Sequence, residues 1–289
     1  MEQEILDTTK IKKILFLGPN GSYSDFAKDI FINSFNLNCV STNLKSISGI
    51  IKALKDDNSD DIAAVIPIEN SIEGVVRETL DNLSSLKKEG FKIIAETTID
   101  VKHALVGFAK NLNEIKIIRS HPQALAQCKN FTQKFFSDSL IEEATLSTSA
   151  AIRSVKPEEP EIAAIGSIEC AKMYNIPVIE ENINDEENNK TRFIILAKYL
   201  SPRTGKDKTS ITFSTENKAG ALSKILTFLE KNNINMSYID SRPSKKELGE
   251  YVFYIDFEGH ILDDKTQKAF EELEKYVKTF YIIGSYHSL

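Results

Sequence analysis

The chain has 289 residues, more than one core usually organises, and its hydrophobic content of 41% with charged content of 27% is that of a soluble globular protein of two or three domains. A net charge of −6 argues against nucleic acid as a partner, and Cys39, Cys128 and Cys170, odd in number and far apart, point away from a disulfide framework or a CxxC zinc site and towards a reducing compartment. The acidic start MEQEILDTTK does not read as a signal peptide, and no stretch reaches the roughly 18 apolar residues of a membrane span, so a cytoplasmic chain without a membrane partner is expected.

From residue 11 to about 200, strand-like and helix-like patterns alternate. IKKILFLG (11–18) is a buried strand ended by Gly-Pro. Ser22 or Ser24 then caps a helix with Phe26, Ala27, Ile30 and Phe31 on one side, and Ile47, Ile50, Ile51 and Leu54 mark a second helix. DIAAVIPI (61–68) is a strand and GVVRETLDNLSSL (74–86) a helix. FKIIAETTI, VKHALVGF, IKIIRS, EIAAIG and TRFIIL follow as strands, with helices near 122–136, 148–155 and 167–174. That alternation predicts an α/β fold with mainly parallel sheets covered on both faces. DIAAVIPIEN (61–70) echoes EIAAIGSIEC (161–170), which reads either as the restricted vocabulary of buried strands or as two similar lobes sharing a cleft.

LSPRTGKDKTS (200–210) lacks apolar periodicity and reads as a linker. Beyond it come a strand (ITFST), a helix (AGALSKILTFLEKNN), two strands (INMSYIDSRP and GEYVFYIDFEG) joined by a polar SKKEL turn, a helix (DDKTQKAFEELEKYVK) and a last strand (TFYIIGSY). The order βαββαβ is ferredoxin-like.

Several stretches carry chemistry. GPNGSYS (18–24) sets a Gly-x-x-Gly turn ahead of a helix, turning backbone N–H groups and hydroxyls outward, but no Gly-Lys-Ser/Thr follows and it is no phosphate loop. IPIENSIEG (66–74) clusters Glu69, Asn70 and Ser71 after a strand, and RSHPQALAQC (119–128) repeats the form with Ser120, His121 and Pro122. Helix capping explains most of these residues, but Gln127 lies among Leu125, Ala126 and Cys128, where a buried amide needs a partner. NKTRFIIL (189–196) opens a strand on a hydroxyl and a guanidinium, Thr191 and Arg192, next to the acidic NDEENN.

In their order and spacing these motifs, with NKAGAL, DSRP and the closing IIGSYHSL, resemble the prephenate dehydratase family with its ACT regulatory domain, over roughly residues 12–287. Val75, Ala219 and Asp240 depart from the family's usual residues, the last two in the regulatory segment. The resemblance implies a two-lobed catalytic domain at 11–200, like type II periplasmic binding proteins, with lobes of roughly 11–85 plus 180–200 and 90–180. It also implies a ferredoxin-like βαββαβ ACT domain at 209–289. No chorismate mutase segment stands in front, which suggests the monofunctional form.

The implied reaction is the loss of CO₂ and water from prephenate to give phenylpyruvate, a carbon–oxygen lyase step of phenylalanine biosynthesis driven by aromatisation, with no metal and no organic cofactor expected. Thr191, Arg192 and Glu69 are the implied catalytic residues. Thr191 is expected as a positioned hydrogen-bond donor, relaying from water or Glu69, with Glu69 itself the rival general acid. Arg192 is placed near the pyruvyl side chain or the leaving oxygen, because a cation on the departing carboxylate would stabilise the ground state. Asn70, Ser71, Ser120, Gln127, Ser147, Thr148, Ser149, Gly21 and Ser22 are the implied substrate-orienting residues. Asn217, Gly220, Ala221, Leu222, Ser241, Arg242 and Pro243 are the implied site for the effector L-phenylalanine, at the contact of paired ACT domains in a homodimer or homotetramer. An arogenate dehydratase and a non-catalytic two-lobed amino-acid sensor are the competing readings.

Overall fold

A computed structural model describes residues 5–57, 59–86, 89–244 and 250–289. The first lobe begins with β1 (Lys13–Leu17), α1 (Tyr23–Ser34), β2 (Val40–Leu44), α2 (Ile47–Asp56), β3 (Ile62–Asn70), the short β4 (Gly74–Val75), α3 (Arg77–Leu83) and β5 (Lys92–Asp100). The second lobe contains β6 (Ala104–Gly107), β7 (Ile117–Ser120), α4 (Pro122–Ala126), α5 (Lys129–Phe135), β8 (Ile141–Ala144), α6 (Thr148–Ser154), β9 (Ile162–Gly166), α7 (Ile168–Met173) and β10 (Val178–Glu180). The chain returns to the first lobe through β11 (Lys190–Ala197). It ends in β12 (Lys208–Ser214), α8 (Ala221–Lys231), β13 (Met236–Pro243), β14 (Tyr251–Glu258), α9 (Asp264–Leu273) and β15 (Thr279–Ser288).

The two lobes share a topology. In the first, β3 lies between parallel β1 and antiparallel β11, with β2 parallel outside β1. In the second, β9 lies between parallel β7 and antiparallel β6, with β8 parallel outside β7. The echoing segments 61–70 and 161–170 thus form the equivalent central strands. Both sheets are mixed where mainly parallel ones were expected, because β11 and β6 enter each sheet reversed. β5 pairs with β11, so residues 92–100 join the first sheet although the second lobe was expected to start at 90.

Helices cover both faces of the first sheet. The α1 residues Ala27 and Phe31 pack with Ile14, Phe16, Val65 and Ile195, while the α2 residues Ile50, Ile51 and Leu54 pack with Leu15, Ala64, Ile66 and Ile194. This second core also takes in Tyr254, Ile283 and Tyr286 from the C-terminal unit. The two units form one sheet of ten strands, because the end of β15 pairs in parallel with β5 at His287↔Ala95 and Ser288↔Glu96. Lys92 Nζ donates to the Ile282 carbonyl at 2.6 Å, and the Tyr254 hydroxyl donates to the Leu80 carbonyl.

The sequence expected single helices at 122–136 and 74–86. The first is interrupted at Gln127–Cys128, and the second follows the two-residue strand β4. The SKKEL turn lies, from residue 245 on, outside the described residues.

Candidate active site

Thr191 stands opposite Asn70, and Arg192 opposite Glu69, in the antiparallel β11–β3 ladder. Side chains alternate across a strand, so neighbours in sequence point to opposite faces. Phe193, Ile195 and Ala197 continue the Thr191 face against α1, whereas Ile194 and Leu196 continue the Arg192 face against α2 and the C-terminal unit. Thr191 and Asn70 therefore share a cavity of about 290 Å³ between the lobes with Tyr23, His103, Gln127 and Asn189, rimmed by His121, Leu146, Ser147 and Thr148. The cavity lies at the carboxyl end of β3, where open α/β sheets bind ligands.

A chain of amides fixes how the hydroxyl points. Asn70 Oδ1 accepts from the backbone N–H of Ile72 at 3.0 Å and of Glu73 at 2.9 Å. Its Nδ2 must then face the other way, donating to Thr191 Oγ1 at 2.9 Å and to Asn189 Oδ1 at 2.8 Å. Asn189 Nδ2 in turn donates to Gln127 Oε1 at 3.1 Å. Because Thr191 Oγ1 accepts from Asn70, its own proton remains for a partner in the cleft. Tyr23 closes one wall, donating its hydroxyl to the Lys102 carbonyl at 2.7 Å, and burial raises its pKa.

Arg192, expected beside the substrate, is on the far side of the sheet. Its Nη1 stands 2.7 Å from Asp256 and 3.1 Å from Glu96, and its Nε 3.2 Å from Glu69. The guanidinium also lies 5.5 Å from the centroid of the Tyr238 ring. Burial works against its charge, but Asp256 and Glu96 outweigh that and hold it protonated. Asp256 comes from β14, so Arg192 ties the strand that carries Thr191 to the C-terminal unit. Glu69 goes with Arg192, away from Thr191, and does not line the cavity. The pleat separates the pairs: Thr191 with Asn70 inside, Arg192 with Glu69 outside.

The other expected residues divide in the same manner. Gln127, Ser147 and Thr148 line the cavity with Asn70. Ser71 exchanges hydrogen bonds with the Asn188 carbonyl and the Lys190 N–H. Ser120, fully buried, donates to the Ile165 carbonyl. Ser149 donates across the lobes to the Asn20 carbonyl at 2.6 Å. Ser22 caps α1 by accepting from Asp25 N, and Gly21 at φ +77° donates its N–H to Asp25. These last five hold the walls, because each hydroxyl or N–H is already used on the backbone or on a neighbouring carboxylate.

In the C-terminal unit Gly220, at φ +79°, begins α8, and Leu222 packs against the local core. Asn217 and Ala221 belong to the same turn and helix start. Ser241, Arg242 and Pro243 end β13. Arg242 pairs with Asp81 of α3 at 3.0 Å. The ladder rows Arg242↔Val252 and Ser214↔Val252 place both segments at one end of the sheet.

A model of the prephenate dehydratase family matches residues 14–200, and one of the ACT domain matches residues 209–275. The chain is 39% identical over 281 residues to the prephenate dehydratase of Methanocaldococcus jannaschii, covering 95% of this chain and 98% of that one. It belongs to the prephenate dehydratase family. Among solved structures, the prephenate dehydratase of Arthrobacter aurescens in complex with L-Phe is 30% identical with a TM-score of 0.81, covering 95% of this chain and 89% of that one. A structure described as GqqA, a novel type of quorum quenching acylase, is 26% identical with a TM-score of 0.80, covering 96% and 98%.

As a prephenate dehydratase family member, the chain presents in its cavity Tyr23, His103 and Asn189, which the motif reading did not single out. Asn189 was within reach, being the first residue of the quoted NKTRFIIL. Tyr23 was equally within reach, inside the quoted GPNGSYS, whereas His103 comes from VKHALVGF, which only the folded lobes bring to the cleft. Among the described residues, no cluster of three or more His, Cys, Asp or Glu could hold a metal ion, and no helix is long and apolar enough to cross a membrane.

Proposed function

We propose that this chain converts prephenate to phenylpyruvate, with Thr191 as the hydrogen-bond donor to the departing ring oxygen, and that L-phenylalanine inhibits it through the ACT domain. The C–C bond to the ring carboxylate breaks, its electron pair enters the ring, and the ring C–O bond breaks as CO₂ and water leave. The observation that carries the reading is the Thr191 hydroxyl on the cavity wall, accepting from Asn70 Nδ2 and so keeping its own proton for another partner. An alcohol is a very weak acid, so Thr191 stabilises the growing charge by a strengthening hydrogen bond, and solvent supplies the proton of the water formed. Asn70, Gln127, Ser147 and Thr148 orient the substrate from the cavity wall.

One feature of the wall favours prephenate over arogenate, and a second suits the loss of CO₂ from either. Among the described residues, those lining the cavity include no carboxylate to meet an ammonium, and no lysine or arginine to clamp the departing carboxylate. Arg192 and Glu69 act from behind the sheet by fixing β11. The Phe-bound relative supports the effector assignment, with Asn217, Gly220, Ala221, Leu222, Ser241, Arg242 and Pro243 forming the site and β13, an edge strand, offering the surface for a second ACT domain.

Incubating the purified chain with prephenate and following phenylpyruvate absorbance tests the reaction. Turnover well above the spontaneous rate, suppressed by phenylalanine, is expected, and no turnover overturns the reading. Isothermal titration should show phenylalanine binding to the intact chain, and sedimentation should show a dimer or tetramer.

A further inference from the structure

The donor and acceptor parity of the amide chain reaches one residue further than Gln127. Asn70 is pinned by two backbone N–H groups, which makes Asn189 Oδ1 an acceptor and Asn189 Nδ2 a donor. Gln127 Oε1 is then the acceptor, so His103 Nε2, 3.2 Å away, has to carry the proton. His103 is 3% exposed. With Gln127 Oε1 occupied by two donors, its Nε2 group is buried without a hydrogen-bond partner, in a residue that lines the cavity. A buried amide donor with no protein partner costs free energy unless a ligand satisfies it.

We propose that His103 is a positioning residue: its Nε2–H holds Gln127 Oε1 so that Gln127 Nε2 presents its two N–H donors to a carboxylate or keto oxygen of the bound substrate. Asn189 alone fixes the amide by one hydrogen bond; His103 supplies the second, so that a flipped amide would forfeit the Asn189 bond and force the imidazole proton onto Nδ1, which is buried without an acceptor. The flipped amide would turn an oxygen toward an anionic ligand. The inference rests on the prephenate reading of the same site.

The experiment compares His103→Leu, His103→Gln and Gln127→Leu, singly and combined, in prephenate kinetics of the full-length chain, with thermal melts to establish folding. Loss of one neutral hydrogen bond that orients a binding group predicts a KM raised about tenfold in His103→Leu, with kcat changed less than about threefold. His103→Gln, whose amide nitrogen can reach the position of Nε2, should restore most of the loss. In the Gln127→Leu background, His103→Leu should add nothing further. Equal losses in both backgrounds, or a His103→Gln variant as impaired as His103→Leu, would overturn the proposal. If His103→Leu fails to fold, His103→Gln against His103→Asn decides, because the shorter amide cannot reach Gln127 and should show the raised KM. Absent turnover by the unmodified chain would instead defeat the reaction assigned above, and the two failures are distinguishable.

Discussion

Replacing Arg192 by methionine leaves a hydrophobic side chain of similar length where a guanidinium joins the two units. The arginine side chain is 11% exposed and meets Asp256 at 2.7 Å, Glu96 at 3.1 Å and Glu69 at 3.2 Å. Asp256 and Glu96 are themselves 5% exposed, so the variant leaves two buried carboxylates without their shared cation. Removing one partner of a buried ion pair costs about 3–5 kcal/mol. Lys208 still contacts Glu96 at 2.6 Å and Ser210 still donates to Asp256 at 2.6 Å, which places the expected loss near the lower end, about 3 kcal/mol. Urea unfolding followed by circular dichroism measures it. Adding Asp256→Asn to Arg192→Met should recover part of the loss, since the orphaned charge is removed with its partner. A loss below about 1 kcal/mol, or no recovery in the double variant, would show that this cluster does not hold the units together.

Other predictions test the junction, the helix cap and a buried imidazole. A side chain at Gly284 would collide with the backbone of Ile93, so Gly284→Ala should lower stability by about 1–3 kcal/mol and expose the β15–β5 junction to proteolysis. Ser22→Ala should cost about 1 kcal/mol in thermal denaturation by removing the α1 cap while leaving the KM for prephenate unchanged, which separates a wall residue from a binding one. Burial holds the His103 pKa below its ordinary value. The folded chain therefore keeps this imidazole neutral while the unfolded chain takes up a proton below about pH 6.5. Stability is undiminished above that pH and is lost as the pH falls, and stability–pH curves should be less steep on the acid side for His103→Gln.

Much of the architecture was legible because buried strands and amphipathic helices announce themselves. Ile47, Ile50, Ile51 and Leu54 mark α2, and all four are buried. Besides the two-residue β4, the strands that were not seen are β2 and β8, whose residues are mostly exposed, and the half-buried β10, and their sequences VSTNL, IEEA and VIE are too short or too polar to read as apolar runs. Their pairing partners, not their own composition, make them strands. In the site, Thr191, Asn70 and Gln127 were legible as polar groups at the ends of apolar segments. The side on which Arg192 falls was not, because the pleat assigns alternate residues to opposite faces only once one face is known to be the cleft. His103 depends on a hydrogen bond to Gln127, 24 positions away, that no local pattern encodes.

The most direct test replaces Thr191 by valine and by serine and measures kcat/KM for prephenate. Valine keeps the shape of the side chain and removes the donor, so a loss of about 10²–10³ in kcat is expected, as for removal of a single donor to a developing oxyanion. Serine keeps the hydroxyl beside Asn70 and should retain activity within about tenfold of threonine. A valine variant that turns over prephenate at the parent rate would contradict the account, whatever the remaining residues do.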